Sequence, residues 1–150
     1  MPGEDDLIKL YSKRILALAA DMPFTDRLDN PDGTARARSP LCGSTVTVDL
    51  ALDDTTITGF GQDVKACALG QASASAIAKK IIGRDKVQIQ SARGELAAML
   101  KAGGPPPSEP FSELEVLIPA RDYKNRHASI LLTFDAVLAA FENAQASAQA

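Results

Sequence analysis

The 150-residue chain has no tryptophan, two cysteines, one histidine and only 5% aromatic residues. Each scarcity excludes something. Two thiols in a domain of this length do not make the disulfide framework of a small secreted protein. No apolar run comes near the roughly 18 residues that a membrane span needs, so no membrane partner is expected. Sixteen basic residues are interspersed among 19 acidic ones, for a net charge of -3, and no cationic stripe is left for counterion release from nucleic acid. Residues 1 to 12 carry Glu4, Asp5 and Asp6 where a signal peptide would be basic and then apolar. The expectation is a cytoplasmic protein forming a single domain over residues 1-150. A chain this long can remove about two-thirds of its unfolded surface from water, and its thiols stay reduced unless they bind something.

Leu7, Leu10, Tyr11 and Ile15 fall at helical spacing behind Asp5 and Asp6, which predicts an N-terminal amphipathic helix over 5-21. Residues 22-41 crowd Pro, Gly, Asp and Asn together and read as an exposed linker. A core over 42-143 follows. Val46, Val48, Leu50 and Leu52 alternate, Asp53-Asp54 make a turn and "TTITGF" returns, which predicts a β-hairpin; a third short strand through "GQDVKA" would end at Cys67. Residues 67 to 82, rich in Ala and Ser, predict a helix closed by Gly83. "VQIQSARGELAAMLKAGG" predicts another, "PPPSEP" a stiff linker and "FSELEVL" a short helix before Pro119. The last helix is expected from Tyr123 to Asn143, with a frayed tail over 144-150.

The scarce residues carry the chemistry. Cys67 opens a predicted helix, where unpaired backbone N–H groups and the helix dipole stabilise a thiolate. Cys42, before Gly43, follows the linker and can project from a loop. Either cysteine taken alone reads equally as a small packing residue. His127 shares a helical stripe with Leu131, Phe134, Leu138 and Phe141 and therefore faces inward. It is either a core histidine bonded to a backbone carbonyl or a ligand.

Together, "PLCGS" at 40 to 44 and "KACALGQASAS" at 65 to 75 resemble the IscU/SufU/NifU-N family of iron–sulfur cluster assembly scaffolds. In that family a first cysteine in Cys-Gly-Asp precedes a β-hairpin, and a second cysteine opens a helix of small residues. Cys42-Gly43 matches the first element, and Cys67 with Ala72, Ser73 and Ser75 matches the second. The long spacing to the last helix and "Pro-Ala-Arg" at 119 to 121 are similar to the Suf-type branch, while the chaperone-docking Leu-Pro-Pro-Val-Lys of the Isc-type branch is absent. The resemblance implies an α+β fold: a small three-stranded antiparallel sheet with helices packed on one face. It also implies a scaffold rather than an enzyme, with a cysteine desulfurase and apo iron–sulfur proteins as partners.

Two positions depart from the family pattern. Ser44 stands where the family has aspartate, and the third cysteine is missing. If "His-Cys-Ser" is the register, Ala128 replaces that cysteine and His127 matches the histidine beside it; if the register moves by one, His127 itself replaces it. The resemblance therefore implies iron, zinc or a [2Fe–2S] cluster held by Cys42, Cys67 and His127. Asp63 is a candidate fourth ligand, Ser44 a poor one, and Cys67 or Cys42 is a persulfide acceptor. The rival reading is a degenerate family member that binds the desulfurase machinery without a cluster of its own.

Overall fold

The computed structural model describes residues 11–41 and 43–149, with the side chains of 147–149 left out of the description. Among the described residues the chain orders α1 (Lys13–Ala20), β1 (Gly33–Arg38), β2 (Thr45–Asp53), β3 (Thr56–Lys65), α2 (Ala68–Ala78), α3 (Lys86–Lys101), a 3-10 helix (Ser112–Asp122) and α4 (Lys124–Gln149). The sheet is antiparallel in the order β1-β2-β3, and α4 crosses β1 and β2 on one face. This is the expected α+β architecture.

α1 begins where the Ser12 hydroxyl accepts the Ile15 amide at 3.3 Å, and it buries Ile15 and Leu18. The expected start near residue 5, with Leu7 and Leu10, lies outside the described residues. The expected linker 22-41 contains β1. Its inward side chains are Gly33 and Ala35, not the Val or Ile that advertise a strand. Small residues are required there because α4 lies directly on them: a Cβ on Gly33 would stand 2.1 Å from the Ala140 carbonyl oxygen and 2.8 Å from the Ala144 Cβ. "GQDVK" is not a separate strand but the second half of β3; the third strand is β1.

The stretch before β1 covers the β3 edge. The Gln62 amide donates to the Phe24 carbonyl at 2.9 Å, its side chain donates to the Pro23 carbonyl at 3.0 Å, and Phe24 packs edge-on against Phe60. Past this edge the chain reaches the outer face of the sheet, where Asp49 is buried. Its carboxylate accepts a forked pair from Arg27 at 2.5 and 3.0 Å, the Thr34 hydroxyl at 2.7 Å and the Leu28 amide at 3.0 Å. Burial pushes this carboxyl up, and the hydrogen bonds from Arg27, Thr34 and Leu28 outweigh it, so the carboxyl sits below the ordinary carboxylate range.

α2 stops at Ala78, short of the expected 82, because Gly83 turns back to β3. Gly83 has φ +90, and its amide donates to the Ile57 carbonyl at 2.8 Å. Asp85 and Gln88 form a reciprocal capping box that starts α3. The 3-10 helix runs through Pro119 instead of ending before it. α4 continues to Gln149, past the expected end at Asn143, and Ala144 of the expected tail is buried. Phe111 meets Phe134 edge-to-face at 5.4 Å, which ties the 3-10 helix to α4.

Candidate functional site

The β2–β3 register places Thr45 opposite Lys65, so Ser44 lies beside the chain entering α2. The turn from β1 to β2 is closed by the Ser39 amide on the Ser44 carbonyl and the Gly43 amide on the Ser39 carbonyl, both at 2.8 Å, with Gly43 at φ +69. Cys42 falls within this turn in sequence and lies outside the described residues.

Cys67 is the N-cap of α2, in extended backbone geometry, and its side chain makes no capping bond. The thiol is half-buried and free. Its sulfur stands 3.9 Å from the Ser129 Oγ in the first turns of α4, and that hydroxyl lies 3.1 Å from the Ser44 Oγ. Both serines are buried. α4 can come this close because Gly70 has no side chain: a Cβ there would lie 2.5 Å from the Ser129 Oγ. The Ser73 hydroxyl fastens the same helix pair, donating to the Ile130 carbonyl at 2.6 Å.

His127 is buried, and its Nε2 lies 3.0 Å from the Ala120 carbonyl oxygen and 3.0 Å from that of Arg121. Carbonyls only accept, so Nε2 carries the proton and Nδ1 holds the lone pair when the ring is neutral. Residues 127 and 129 are about 200° apart around a helix. Accordingly Ser129 faces Cys67 while His127 faces the 3-10 helix, with Ala128 between them. Asp63 is exposed on β3 opposite Thr47 and acts on Arg27 at the outer face of the sheet. The structure thus does not bring Asp63 and His127 together with Cys67, and among the described residues no three His, Cys, Asp or Glu side chains gather as metal-site donors.

Two residues have roles that the sequence did not signal. Ser129, not His127, touches the thiol; the half-turn between them was the available clue. Arg121, which sequence marks only as part of "Pro-Ala-Arg", donates Nε to the Met99 carbonyl and Nη2 to the Gly104 carbonyl, both at 2.6 Å, at the negative end of α3. Beside it a cavity of about 470 Å³ is lined by Leu41, Leu100, Lys101, Lys124, His127 and Ala128 as well as Arg121.

The site therefore stands on a three-stranded antiparallel sheet backed by helices, with a free thiol heading a small-residue helix. Neither a scan against protein-family models nor a search of curated proteins finds a match. Solved structures do match. The crystal structure of a nitrogen-fixing NifU-like protein (N-terminal) from Brucella abortus superposes with TM-score 0.90 at 45% identity, covering 94% of this chain and 98% of that one. A protein from Fervidobacterium islandicum AW-1, named as an iron–sulfur cluster assembly scaffold for the SUF system, shares the fold with TM-score 0.79 at 21% identity, covering 89% and 98%. The chain belongs to the NifU-like N-terminal family, within the IscU/SufU/NifU-N group. No helix among the described residues is long and apolar enough to cross a membrane.

Proposed function

We propose that this chain is an iron–sulfur cluster assembly scaffold that accepts sulfur on Cys67, with Cys42 as its second thiol. The observation that carries the reading is the position of Cys67: a free thiol at the head of an eleven-residue helix, making no capping bond of its own. First-turn amides lack intrahelical partners and favour negative charge at this point. In the transfer step the Cys67 thiolate attacks the sulfane sulfur of a desulfurase persulfide. A new S–S bond forms at Cys67 Sγ, the donor cysteine leaves as its thiolate, and no external oxidant or reductant is consumed. Iron or a [2Fe–2S] unit is cargo here, and zinc suits the same thiols. Two thiols supply about half of the four donors such cargo needs. The Ser44 and Ser129 hydroxyls are weak donors unless deprotonated; the Nδ1 lone pair of His127, which the two carbonyls leave free, is a third donor, and completion of the fourth from outside the chain fits this donor set.

Anaerobic incubation with a cysteine desulfurase, cysteine and ferrous iron tests this. The expected result is a visible cluster spectrum and a persulfide mass adduct on Cys67, both lost in Cys67→Ser. Absence of adduct, cluster and bound metal, alone or with the desulfurase, overturns it.

One observation favours a second reading, a binding partner of the assembly machinery that carries no cluster. Ser44 stands at the position of the family aspartate, and Ala128 or His127, according to the register, at that of the third cysteine. In that case Cys42→Ser and Cys67→Ser leave complex formation with the desulfurase intact, and the wild-type protein never acquires metal.

A further inference from the structure

We infer that the cavity between the end of α3 and the start of α4 binds a small dianion that carries a hydroxyl proton of its own, a hydroxy-dicarboxylate or hydrogen phosphate. Lys101 and Lys124 meet the charge, and His127 accepts the proton. The inference requires neither cysteine and goes beyond the scaffold reading.

Charge sets this cavity apart. Lys101, Arg121 and Lys124 stand on its walls, and among the described residues no carboxylate does. Three other cavities carry two carboxylates each: Asp32 and Asp54, Glu95 and Glu109, Asp21 and Glu113. In a chain of net charge -3 this wall is the exception. Neither lysine forms an ion pair among the described residues. Arg121 is a fixed cation, because its guanidinium is held on the Met99 and Gly104 carbonyls. Lys101 closes α3, where the helix dipole favours a cation; Lys124 opens α4, where it does not, and the first turn of α4 holds no acidic residue to offset it. An anion beside Lys124 removes that cost.

His127 selects among anions. It is 5% exposed, lines the cavity and spends Nε2 on two carbonyls. No hydrogen bond engages Nδ1 among the described residues, so the neutral ring adds a buried acceptor to a wall whose other polar groups are cations. A buried acceptor left without a donor is costly, so an anion with an O–H is preferred to one with none. Leu41, Leu100 and Ala128 offer apolar contact, and about 470 Å³ leaves room for an organic body behind the charged groups.

Two matched pairs test this in metal-free protein at mildly alkaline pH, where all four ions are doubly charged. Malate differs from succinate by one hydroxyl, and hydrogen phosphate carries a proton that sulfate lacks. Amide NMR is expected to show saturable shifts at Leu41, Lys101, Lys124, His127 and Ala128 with malate, phosphate or both, the tighter of the two naming the source of the charge. K101E/K124E should weaken binding at least about tenfold, whereas K79E/K80E, an equal reversal just past the end of α2, should change it less than about twofold. No saturable shifts at millimolar ligand, or equal weakening by the two reversals, overturns the site. Succinate or sulfate binding as tightly as its partner ion overturns the selection by His127, and the inference with it.

Discussion

Ser129 and Cys67 meet across two helices, with 3.9 Å between hydroxyl oxygen and sulfur, and Gly70 is what allows the approach. A thiol at position 129 therefore lies within reach of the same ion as Cys67. Ser129→Cys should bind Co(II) at least about tenfold more tightly than wild type, or ~1.4 kcal/mol, with stronger sulfur-to-cobalt absorption. Ala128→Cys, at the position one of the two family registers assigns, is the matched comparison. A gain with Ala128→Cys alone would show that the metal approaches from the cavity side of α4.

Gly33 sits beneath α4, with the Ala140 carbonyl where a Cβ would go. Backbone cannot step aside as a side-chain tip can. Gly33→Ala should cost at least about 2 kcal/mol, read as a lower urea midpoint, and should reduce amide protection in β1 and the second half of α4.

The buried Asp49 carboxylate joins β1, β2 and the segment at Arg27–Leu28. Its folded-state pKa lies below the unfolded value, so its stabilisation is complete above about pH 4 and is lost as pH falls through the folded value. Asp49→Asn should lose about 2–3 kcal/mol at neutral pH, the scale of hydrogen bonds to a charged group. Denaturant midpoints taken from pH 7 to pH 2 should then converge for variant and wild type at the acid end.

Arg121 joins the 3-10 helix to the end of α3 through two carbonyls that its forked guanidinium reaches together. Lysine keeps the charge and loses the fork. Arg121→Lys should cost about 1 kcal/mol by thermal or urea unfolding, and Arg121→Ala somewhat more, with Cys67 persulfide formation unchanged in both.

The hairpin, the helix opened by Cys67 and the long last helix were legible because Val46, Val48 and Leu50 alternate and because the scarce cysteines sat on family landmarks. β1 was not legible. Its inward positions are Gly33 and Ala35, and the demand for small residues comes from α4, more than a hundred residues away in sequence. Sequence predicts too short a last helix for the complementary reason: Ala144 looks like tail composition until Gly33 is placed beneath it. At the site, the inward face of His127 was readable from spacing, and so was one of its two candidate roles, a bond to backbone carbonyl. Which neighbour touched the thiol depended on the rotational phase of α4 relative to α2. Gly70 and Ser73 fasten that helix pair, and neither residue type says in the sequence which neighbour it will admit.

The His127 bond to the Ala120 and Arg121 carbonyls has a further consequence. Both carbonyls share the one Nε2 proton, so a single side chain fastens the bend between the 3-10 helix and α4. The opposite nitrogen cannot swing away without opening that joint, so whatever approaches along the cavity wall meets a ring of fixed direction.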